Sequence, residues 1–266
     1  MQVAEQEFDH LACLNSAQRM AAEYGERAAT GGFQAGPLLV IAGAGTGKTM
    51  TLAHRVAHLL IEGVSPERIL LLTFTRRAAQ EMTRRVENIV RASSAGATAL
   101  PTSGLPWSGT FHSIANRLLR RFAHNIGLDP GFSVLDRGDA ADMLDVVRHE
   151  LKLTRTARRF PKKDTCLAIY SRCVNTQKPL AETLDHTYPW CSDWSDELSE
   201  LFRHYVLRKQ QSQSLDYDDL LLYWSHLVAE PEFAQEIGSW FDHVLVDEYQ
   251  DTNLIQAQVL NALQPT

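Results

Sequence analysis

The sequence lacks any apolar run long enough to cross a bilayer, which takes roughly 20 residues. Its longest apolar stretches are residues 37–42 and 69–72. No signal-peptide pattern opens the chain, because residues 1–9 are polar and acidic where a basic flank and an apolar core are required. With 266 residues and 44% hydrophobic content, the sequence predicts a globular, cytoplasmic protein of one or two domains without a membrane partner.

Cysteine is scarce, and its spacing argues against a disulfide framework or a zinc ribbon. The four cysteines are Cys13, Cys166, Cys173 and Cys191, and they include no Cys-x-x-Cys pair. We therefore expect structural free thiols rather than a metal site. Internal repeats and sustained coiled-coil heptads are also absent from the sequence, which argues against a solenoid.

Positive charge is also in short supply, since the formal net charge is −6. The negative net charge does not exclude a nucleic-acid partner, because nucleic-acid binding depends on where the basic residues face. Basic residues do cluster in the middle of the chain, in an acid-free stretch and on a predicted helix. They are Lys152, Arg155, Arg158, Arg159, Lys162 and Lys163, with Arg117, Arg120 and Arg121. They could bind nucleic-acid phosphates or form a solvated helix face, and both interpretations stay open.

Hydrophobic patterning predicts an α/β fold with a parallel sheet and helices on both faces. Two continuous apolar runs, at residues 37–42 and 68–74, are typical of buried strands, and residues 49–61 between them have helical spacing. Strand, loop, helix and strand in this order form a βαβ unit. Outside the middle of the chain we also predict a helix at 78–90, an exposed loop at 93–106 and a short strand at 243–247.

The middle of the sequence predicts an all-helical insertion. Helix signals dominate residues 114–207, and one more amphipathic helix is expected at 215–228, with Asp216 as its N-cap. Breaks between helices are expected at residues 127–132, around Pro161 and at 179–194. A helical stretch between two α/β stretches is typical of an interrupted sheet domain. We therefore predict one domain of residues 1–114 and 214–266, and an inserted helical subdomain of residues 115–213.

A glycine-rich loop at residues 42–49 fits the phosphate-loop pattern G-x-x-x-x-G-K-[ST], with alanine in place of the first glycine. Its glycines leave backbone N–H groups free to converge on phosphate oxygens where the next helix begins. Lys48 would reach the β- and γ-phosphates, and Thr49 would place its hydroxyl on Mg²⁺. The alternative is a plain turn, which the strand-loop-helix context disfavours. The predicted nucleotide-binding loop residues are Ala42, Gly43, Ala44, Gly45, Thr46, Gly47, Lys48 and Thr49.

A carboxylate pair, Asp247 and Glu248, follows the last predicted strand. Asp247 would hold Mg²⁺ directly or through water, and Glu248 would take a proton from the attacking water. A surface acidic pair is the alternative, and it is weak beside the phosphate loop. The loop and the pair together predict a site for a nucleoside triphosphate and Mg²⁺.

Several further segments, in the right order, resemble superfamily 1 DNA helicases of the UvrD/Rep type. Residues 14–19 are similar to the family's Q motif, 72–82 to motif Ia, 109–113 to motif Ib and 247–253 to motif II. The resemblance implies a RecA-like P-loop NTPase domain that uses ATP and Mg²⁺. It also implies 3′-to-5′ translocation on single-stranded DNA, action at junctions of single-stranded and duplex DNA, and a role in DNA repair or replication restart.

The resemblance assigns roles to individual residues. Gln18 is implied to read the adenine edge, with Arg19 and Arg55 also near the nucleotide, and Gln250 to sense the γ-phosphate or the attacking water. From the residues alone, Asn15 or Ser16 could instead cap a first helix in which Gln18 is incidental.

Residues of motifs Ia and Ib are implied to touch single-stranded DNA. They are Phe74, Thr75, Arg76, Thr110, Phe111 and His112. Arg76 stands where the family usually has asparagine, which puts the detail of its DNA contact in doubt. The flat rings could stack on bases or form pocket walls, and ordinary strand ends with core aromatics are the structural alternative.

The resemblance further implies a second RecA-like domain whose arginines stabilise charge on the transferred phosphate. Arginine fingers contribute about 10³ to 10⁵ in rate in related NTPases. We therefore expect the 266-residue chain alone to bind ATP weakly, to hydrolyse it poorly and not to unwind DNA. One alternative is a non-enzymatic nucleotide- or DNA-binding module acting as a regulator. Another is a P-loop enzyme of a different class, such as a nucleoside kinase or a GTPase.

Overall fold

The computed structural model describes residues 9–28, 32–93, 104–155 and 159–263. Its α-helices are α1 (Ser16–Glu23), α2 (Lys48–Ile61), α3 (Arg76–Ser93), α4 (Phe111–Phe122), α5 (Arg137–Glu150), α6 (Lys163–Thr176), α7 (Leu180–Thr187), α8 (Ser195–Gln211), α9 (Tyr217–Ala229), α10 (Pro231–Gly238) and α11 (Leu254–Ala262). Its strands are β1 (Glu26–Arg27), β2 (Phe33–Gln34), β3 (Ile69–Thr73), β4 (Ser108–Thr110), β5 (Ser133–Val134), β6 (Ser214–Leu215) and β7 (His243–Val246). Within these ranges no helix is both long and apolar enough to span a membrane. Most of the loop predicted at 93–106 lies outside the described residues.

The chain folds into two compact units. Among the described residues, the first unit holds those up to 114 together with 235–250, and the second holds 115–234 and 251–263. The chain passes from the first unit to the second for the last time between Gln250 and Asp251. The sequence-based division, with residues 115–213 inserted into one sheet domain, stays a prediction.

Three parallel strands form the sheet of the first unit, in the order β4, β3, β7. Leu72 of the central strand lies opposite Gly109 on one side and Val246 on the other. β3 is buried along its whole length, as its continuous apolar sequence predicted. The mixed α/β class with a parallel sheet is therefore confirmed. Because the strands are parallel, all three carboxyl ends meet at one edge of the sheet.

Helices α2 and α3 supply much of the core beside this sheet. The side chains of Val56 and Leu59 on α2 and of Met82 and Val86 on α3 are fully buried in one cluster with Leu71. Their spacing of three or four residues places them on one face of each helix. Burying side chains of this size contributes roughly 1.5–3 kcal/mol each to the free energy of unfolding.

The strand predicted at residues 37–42 is wrong. These residues take no regular secondary structure, and the side chains of Leu39 and Ile41 are 67% and 87% exposed. A strand needs a neighbour that accepts and donates backbone hydrogen bonds, and no strand of the described residues pairs with this segment. An apolar run indicates a tendency to be buried, but it does not supply the partner.

The second unit is mostly helical, around a core of buried side chains from α5, α6 and α8 that includes Leu144, Ile169 and Tyr205. Two details correct the expected all-helical middle. β5 and β6 form a two-stranded parallel pair, with Ser133 opposite Ser214. Helix α7 also lies inside the break expected at 179–194, because Pro179 precedes the helix, where proline is tolerated, and does not interrupt it.

Three stacked histidines join the segment before α1 to α2. The ring centroid of His10 lies 5.6 Å from that of His58 and 6.5 Å from that of His54. Burial lowers the pKa of all three imidazoles, and the charges of neighbouring histidines lower those of His10 and His54 further. Within the described residues, His10 Nε2 and His58 Nδ1 are buried without a hydrogen-bond partner. The cluster therefore favours neutral rings.

We predict that mild acid destabilises the first unit through this cluster. Each folded pKa lies below the unfolded value of about 6.5, so the stabilisation is complete above that pH and is lost as the pH falls through the folded values. Thermal unfolding at pH 7.5 and 5.5 checks this, and the decrease in Tm should be smaller in His58→Gln than in the wild type. The exposed His124→Gln is the control. Equal decreases in all three proteins would contradict the prediction.

Candidate functional site

The glycine-rich loop ends where α2 begins at Lys48. Gly45 and Gly47 both adopt left-handed backbone, with φ of 75° and 84°, which glycine tolerates best. No side chain caps α2, and no acidic residue lies in its first turn. Some other helices carry side-chain caps, among them Asn15, Asp136, Asp216 and Asn253, whereas α6, α7 and α8 also lack one. What distinguishes α2 is the glycine loop before it, which leaves its first N–H groups accessible to an anion.

The Lys48 ammonium lies against the loop it follows. Its Nζ donates to the carbonyl oxygens of Ala42 at 2.9 Å and Gly43 at 3.1 Å. The Thr46 hydroxyl donates to the same Gly43 oxygen at 2.7 Å. An anion at this loop would meet the ammonium and the start of a helix together, which fits the triphosphate of a nucleotide.

Gln18 connects the first helix to the loop. Asn15 caps α1, and the Gln18 side-chain oxygen accepts from the Asn15 N–H at 3.0 Å, which completes a capping box. The Gln18 Nε2 donates to the Thr46 carbonyl oxygen at 2.9 Å. An amide carries two N–H groups and two lone-pair sites, so one donor and one acceptor remain. The capping role and the adenine-reading role are therefore compatible.

The two arginines predicted near the nucleotide have other partners. The buried Arg55 donates from Nη1 to the Ala22 carbonyl oxygen at 3.1 Å, and burial lowers the pKa of its guanidinium to about 10. Arg19 forms ion pairs with Asp9 and Glu23. In this structure Arg55 binds the backbone of α1, and Arg19 forms ion pairs at its surface. The prediction that these two arginines touch nucleotide gains no support from these contacts.

The buried Asp247 follows β7 at the carboxyl edge of the sheet, and its N–H donates to the Leu72 carbonyl oxygen at 2.9 Å. Burial raises the pKa of the Asp247 carboxyl, and the neighbouring Glu248 charge raises it further. The Lys48 charge acts in the opposite direction. The charge of the loop lysine thus acts on the motif II aspartate, although it is the weakest of these influences.

Glu248 and Gln250 contact each other directly, because the Gln250 Nε2 donates to Glu248 Oε2. Glu248 adopts left-handed backbone with φ of 51°, a conformation that costs a residue with a side chain on the order of 1–2 kcal/mol. Such strain is concentrated at functional sites in proteins. The structure thus brings together the predicted proton acceptor and the predicted sensor of the attacking water.

Within the described residues, no cluster of three or more His, Cys, Asp or Glu side chains forms a metal cage. Mg²⁺ in nucleotide sites usually takes one or two protein ligands, with phosphate and water oxygens completing its shell. The hydroxyl and carboxylate of Thr49 and Asp247 are the donor types that this ion prefers. The four cysteines are unpaired, and burial raises the pKa of the Cys166 thiol to about 12.

Residues predicted to touch DNA follow the other two strands of the sheet. Phe74 comes after β3 and is 37% exposed, whereas Phe111 comes after β4 and is 1% exposed. Their ring centroids are 6.2 Å apart in an edge-to-face arrangement. Phe111 is therefore a wall behind Phe74, and of these two rings only that of Phe74 presents a substantial open surface.

The hydroxyl groups at the same strand ends are engaged locally. Thr75 Oγ1 accepts from the Ala78 N–H at 3.1 Å near the start of α3, and Thr110 Oγ1 accepts from the Ser113 N–H at 3.2 Å. His112 is half-buried, and burial lowers the pKa of its imidazole. Arg76 is the first residue of α3.

All the predicted site residues lie in the first unit, whereas the basic residues of the middle belong to the second. Arg120 donates to the carbonyl oxygens of Pro130 and Phe132, and Lys163 pairs with Asp142. These contacts favour a structural role for those two cations. Arg158 and the side chain of Arg155 lie outside the described residues.

Comparison with known proteins gives one family along nearly the whole chain. The family model described as the UvrD/REP helicase N-terminal domain matches residues 23–266. The ATP-dependent DNA helicase PcrA of Bacillus subtilis (strain 168) is 36% identical over 230 residues, which cover 86% of this chain and 29% of that protein. PcrA of Leuconostoc citreum is 34% identical over 230 residues, with 86% and 29% covered. The chain therefore spans about 29% of the length of these relatives.

We predict unequal costs for alanine at the two left-handed glycines of the loop. A Cβ at Gly47 would lie 2.8 Å from Gln18 Nε2, whereas a Cβ at Gly45 would meet nothing within 4 Å. Both variants should lose on the order of 1 kcal/mol from backbone strain. Gly47→Ala should lose more in urea unfolding, because it also displaces the Gln18 amide. In a Gln18→Ala background the difference should vanish, and a difference that persists would contradict this explanation.

Proposed function

Because this chain belongs to the UvrD/REP helicase family, we propose that it is the N-terminal ATP-binding part of a UvrD/Rep-like DNA helicase. The whole protein would couple ATP hydrolysis to 3′-to-5′ movement along single-stranded DNA and to duplex unwinding. The observation that carries the proposal is the loop itself, in which the left-handed Gly45 and Gly47 lead into the start of α2 and the Lys48 ammonium lies against the Ala42 and Gly43 carbonyl oxygens. The matched relatives are named ATP-dependent DNA helicases.

In this proposal the loop residues and Lys48 bind the phosphates, while the remaining donor and acceptor of Gln18 face the adenine edge. Thr49 and Asp247 would hold Mg²⁺, which would neutralise charge on the phosphate oxygens. The Lys48 charge favours the ionised form of Asp247. Glu248 accepts the proton of the attacking water, and the Gln250 amide orients the Glu248 carboxylate.

Single-stranded DNA, in this proposal, crosses the carboxyl edge of the sheet. Phe74 offers the open ring, Phe111 supports it, and Thr75, Arg76, Thr110 and His112 border the path. Base stacking on one aromatic ring is worth about 1–3 kcal/mol, so Phe74 would carry much of the contact made here. Junction binding and the second RecA-like domain of the longer protein belong to the same proposal.

We predict that the 266-residue chain binds Mg·ATP but turns it over slowly, with or without single-stranded DNA. The phosphate ligands are present, whereas the arginines of a second domain, worth about 10³ to 10⁵ in rate, would come from elsewhere. Titration with a fluorescent ATP analogue and a phosphate-release assay measure the two properties. Lys48→Met should weaken ATP binding at least tenfold, because it removes a hydrogen bond from a charged group to the phosphates.

Hydrolysis of many ATP molecules per second by this chain would contradict the prediction that arginines of a second domain are needed for fast hydrolysis. Absence of ATP binding in the wild type would overturn the proposed function. Binding of ATP without any hydrolysis, even in a single-turnover assay with DNA, would favour a non-enzymatic nucleotide-binding module.

We also predict a preference for ATP over GTP that depends on the Gln18 amide. Gln18→Ala should reduce the ATP-to-GTP affinity ratio about tenfold, because one or two hydrogen bonds to the base are lost. The matched control is Asn15→Ala, which removes the cap of α1 but keeps the amide. Equal affinity for both nucleotides in the wild type would remove the adenine-reading role. The same loss in Asn15→Ala would assign the effect to helix fraying.

A further inference from the structure

Helix α3 presents a face of cationic and amide side chains to solvent. Four of its residues recur at intervals of three or four and are buried, and these are Ala79, Met82, Val86 and Val90. A second set recurs with the same spacing two residues earlier, which places it about 200° around the helix, away from the core. All five members of this set are exposed. We call them the arginine face, and they are Arg77, Gln80, Arg84, Asn88 and Arg91.

The arginine face contains no carboxylate. The whole of α3 has five arginines and two glutamates, whereas the net charge of the chain is −6. The two glutamates are half-buried beside the face, and one of them, Glu81, pairs with both Arg84 and Arg85 at 2.9 Å. Among the residues that the structure describes, Arg77 and Arg91 form no ion pair. Positive charge on this side of the helix is therefore only partly neutralised.

The stability of the helix does not account for these arginines. Arg76 and Arg77 are the first two residues of α3, and its first turn contains no acidic residue. The N-terminal end of a helix carries a partial positive charge, so cations there are locally unfavourable. The Thr75 hydroxyl binds one N–H of this turn, that of Ala78. An anion from outside the chain would therefore be attracted by the helix end and by two guanidinium groups together.

The arginine face begins next to the edge of the sheet where Phe74 lies. Only Thr75 and Arg76 separate the exposed Phe74 ring from Arg77 in the chain. The helix rises about 1.5 Å per residue, so the face from Arg77 to Arg91 is about 21 Å long. An aromatic ring is thus followed by cations that lead away from the sheet along one side of α3.

The chemistry of the arginine face fits the phosphate backbone of DNA. A guanidinium group can donate two parallel hydrogen bonds to one phosphate, and the amides of Gln80 and Asn88 can donate further bonds to phosphate or sugar oxygens. A docking surface for another protein would be expected to contain apolar or aromatic residues at its centre. The five residues of the face include none. A nucleic-acid strand is therefore the partner that these side chains fit best.

We propose that the arginine face binds the phosphates of single-stranded DNA beyond the base that stacks on Phe74. This inference rests on the proposed DNA contact at the sheet edge, and it extends that contact along α3. The face contributes affinity through counterion release and does not select a base sequence, because its side chains meet phosphates. The strand leaves the sheet edge in one direction, from Arg77 toward Arg91.

The test is the salt dependence of DNA binding by the full 266-residue chain. Arg77→Gln and Arg91→Gln each remove one charge from the face, and glutamine keeps a high helix propensity. The matched control is Arg85→Gln, which removes the same charge from the same helix but lies about 100° away from Arg84 around its axis. Fluorescence anisotropy with labelled oligothymidylates of about 4 and about 16 nucleotides measures the affinity at several salt concentrations.

With the longer oligonucleotide, Arg77→Gln and Arg91→Gln should each reduce the slope of log affinity against log salt by about 0.7, the value for one phosphate contact on a single strand. With the shorter oligonucleotide only Arg77→Gln should do so, because a short strand stacked on Phe74 ends before it reaches Arg91. Arg85→Gln should leave both slopes at the wild-type value.

Unchanged slopes in Arg77→Gln and Arg91→Gln, or an equal reduction in Arg85→Gln, would overturn the role of the arginine face. Polyglutamate is the competing probe. If it bound as tightly as the oligothymidylate and were weakened by the same two substitutions, the face would be a docking surface for acidic proteins, and the assignment to DNA would be wrong.

Phe74→Ala tests the proposed function separately. It should weaken binding of both oligonucleotides about tenfold without changing the slopes, because it removes a stacking contact and no charge. If Phe74→Ala has no effect, the proposed contact at the sheet edge is overturned, while the slopes still decide the role of the arginine face. A wild-type chain that binds neither oligonucleotide would overturn both DNA contacts and leave the proposed ATP site to its own test.

Discussion

Parallel pairing of β4, β3 and β7 is the constraint on which the rest of the first unit depends. Because Leu72 lies opposite both Gly109 and Val246, the residues that follow each strand reach the same edge of the sheet. Phe74, Phe111 and Asp247 come from distant parts of the chain and are brought to this edge by register alone. A pairing shifted by one residue would turn every side chain of the shifted strand to the other face.

The helix start at Lys48 adds the second element of the site. Side chains cap several other helices of this protein, yet α2 has neither a cap nor an acidic first turn. Local stability would be improved by a capping side chain, typically by about 1 kcal/mol. Leaving this end open preserves N–H groups for an anion, and the charge of Lys48 at the helix start acts on the buried Asp247 carboxyl.

Local patterns in the sequence predicted what local physics decides. The glycine loop, the helix that follows it and the buried strand β3 are marked by composition and periodicity, and Asp216 was recognisable as a cap. Pairing between distant segments was not predictable in the same way. The apolar residues 37–42 predict a strand because their pattern indicates burial, but the pattern does not identify a pairing partner.

Side-chain contacts across long separations were equally hidden. The bond from Gln18 to Thr46 spans 28 residues and that from Asn253 to Asn175 spans 78. An asparagine inside a helical pattern resembles any other surface residue until its neighbours are known. The ion cluster of Lys209 was missed for the same reason, since a single lysine in an amphipathic helix predicts exposure. In the structure the Lys209 side chain is instead buried within the second unit.

The contacts of Lys48 with the Ala42 and Gly43 carbonyl oxygens also restrict the conformational entropy of the lysine side chain. A free lysine side chain loses about 1.5–2 kcal/mol of rotamer freedom when it is fixed. Here two carbonyl dipoles already hold the ammonium over the loop, so much of that freedom is lost through contacts within the protein. A phosphate bound as we propose would replace these dipolar contacts with an ionic one, and the lysine side chain would not have to be ordered first. The backbone of the loop therefore fixes the position of the Lys48 ammonium.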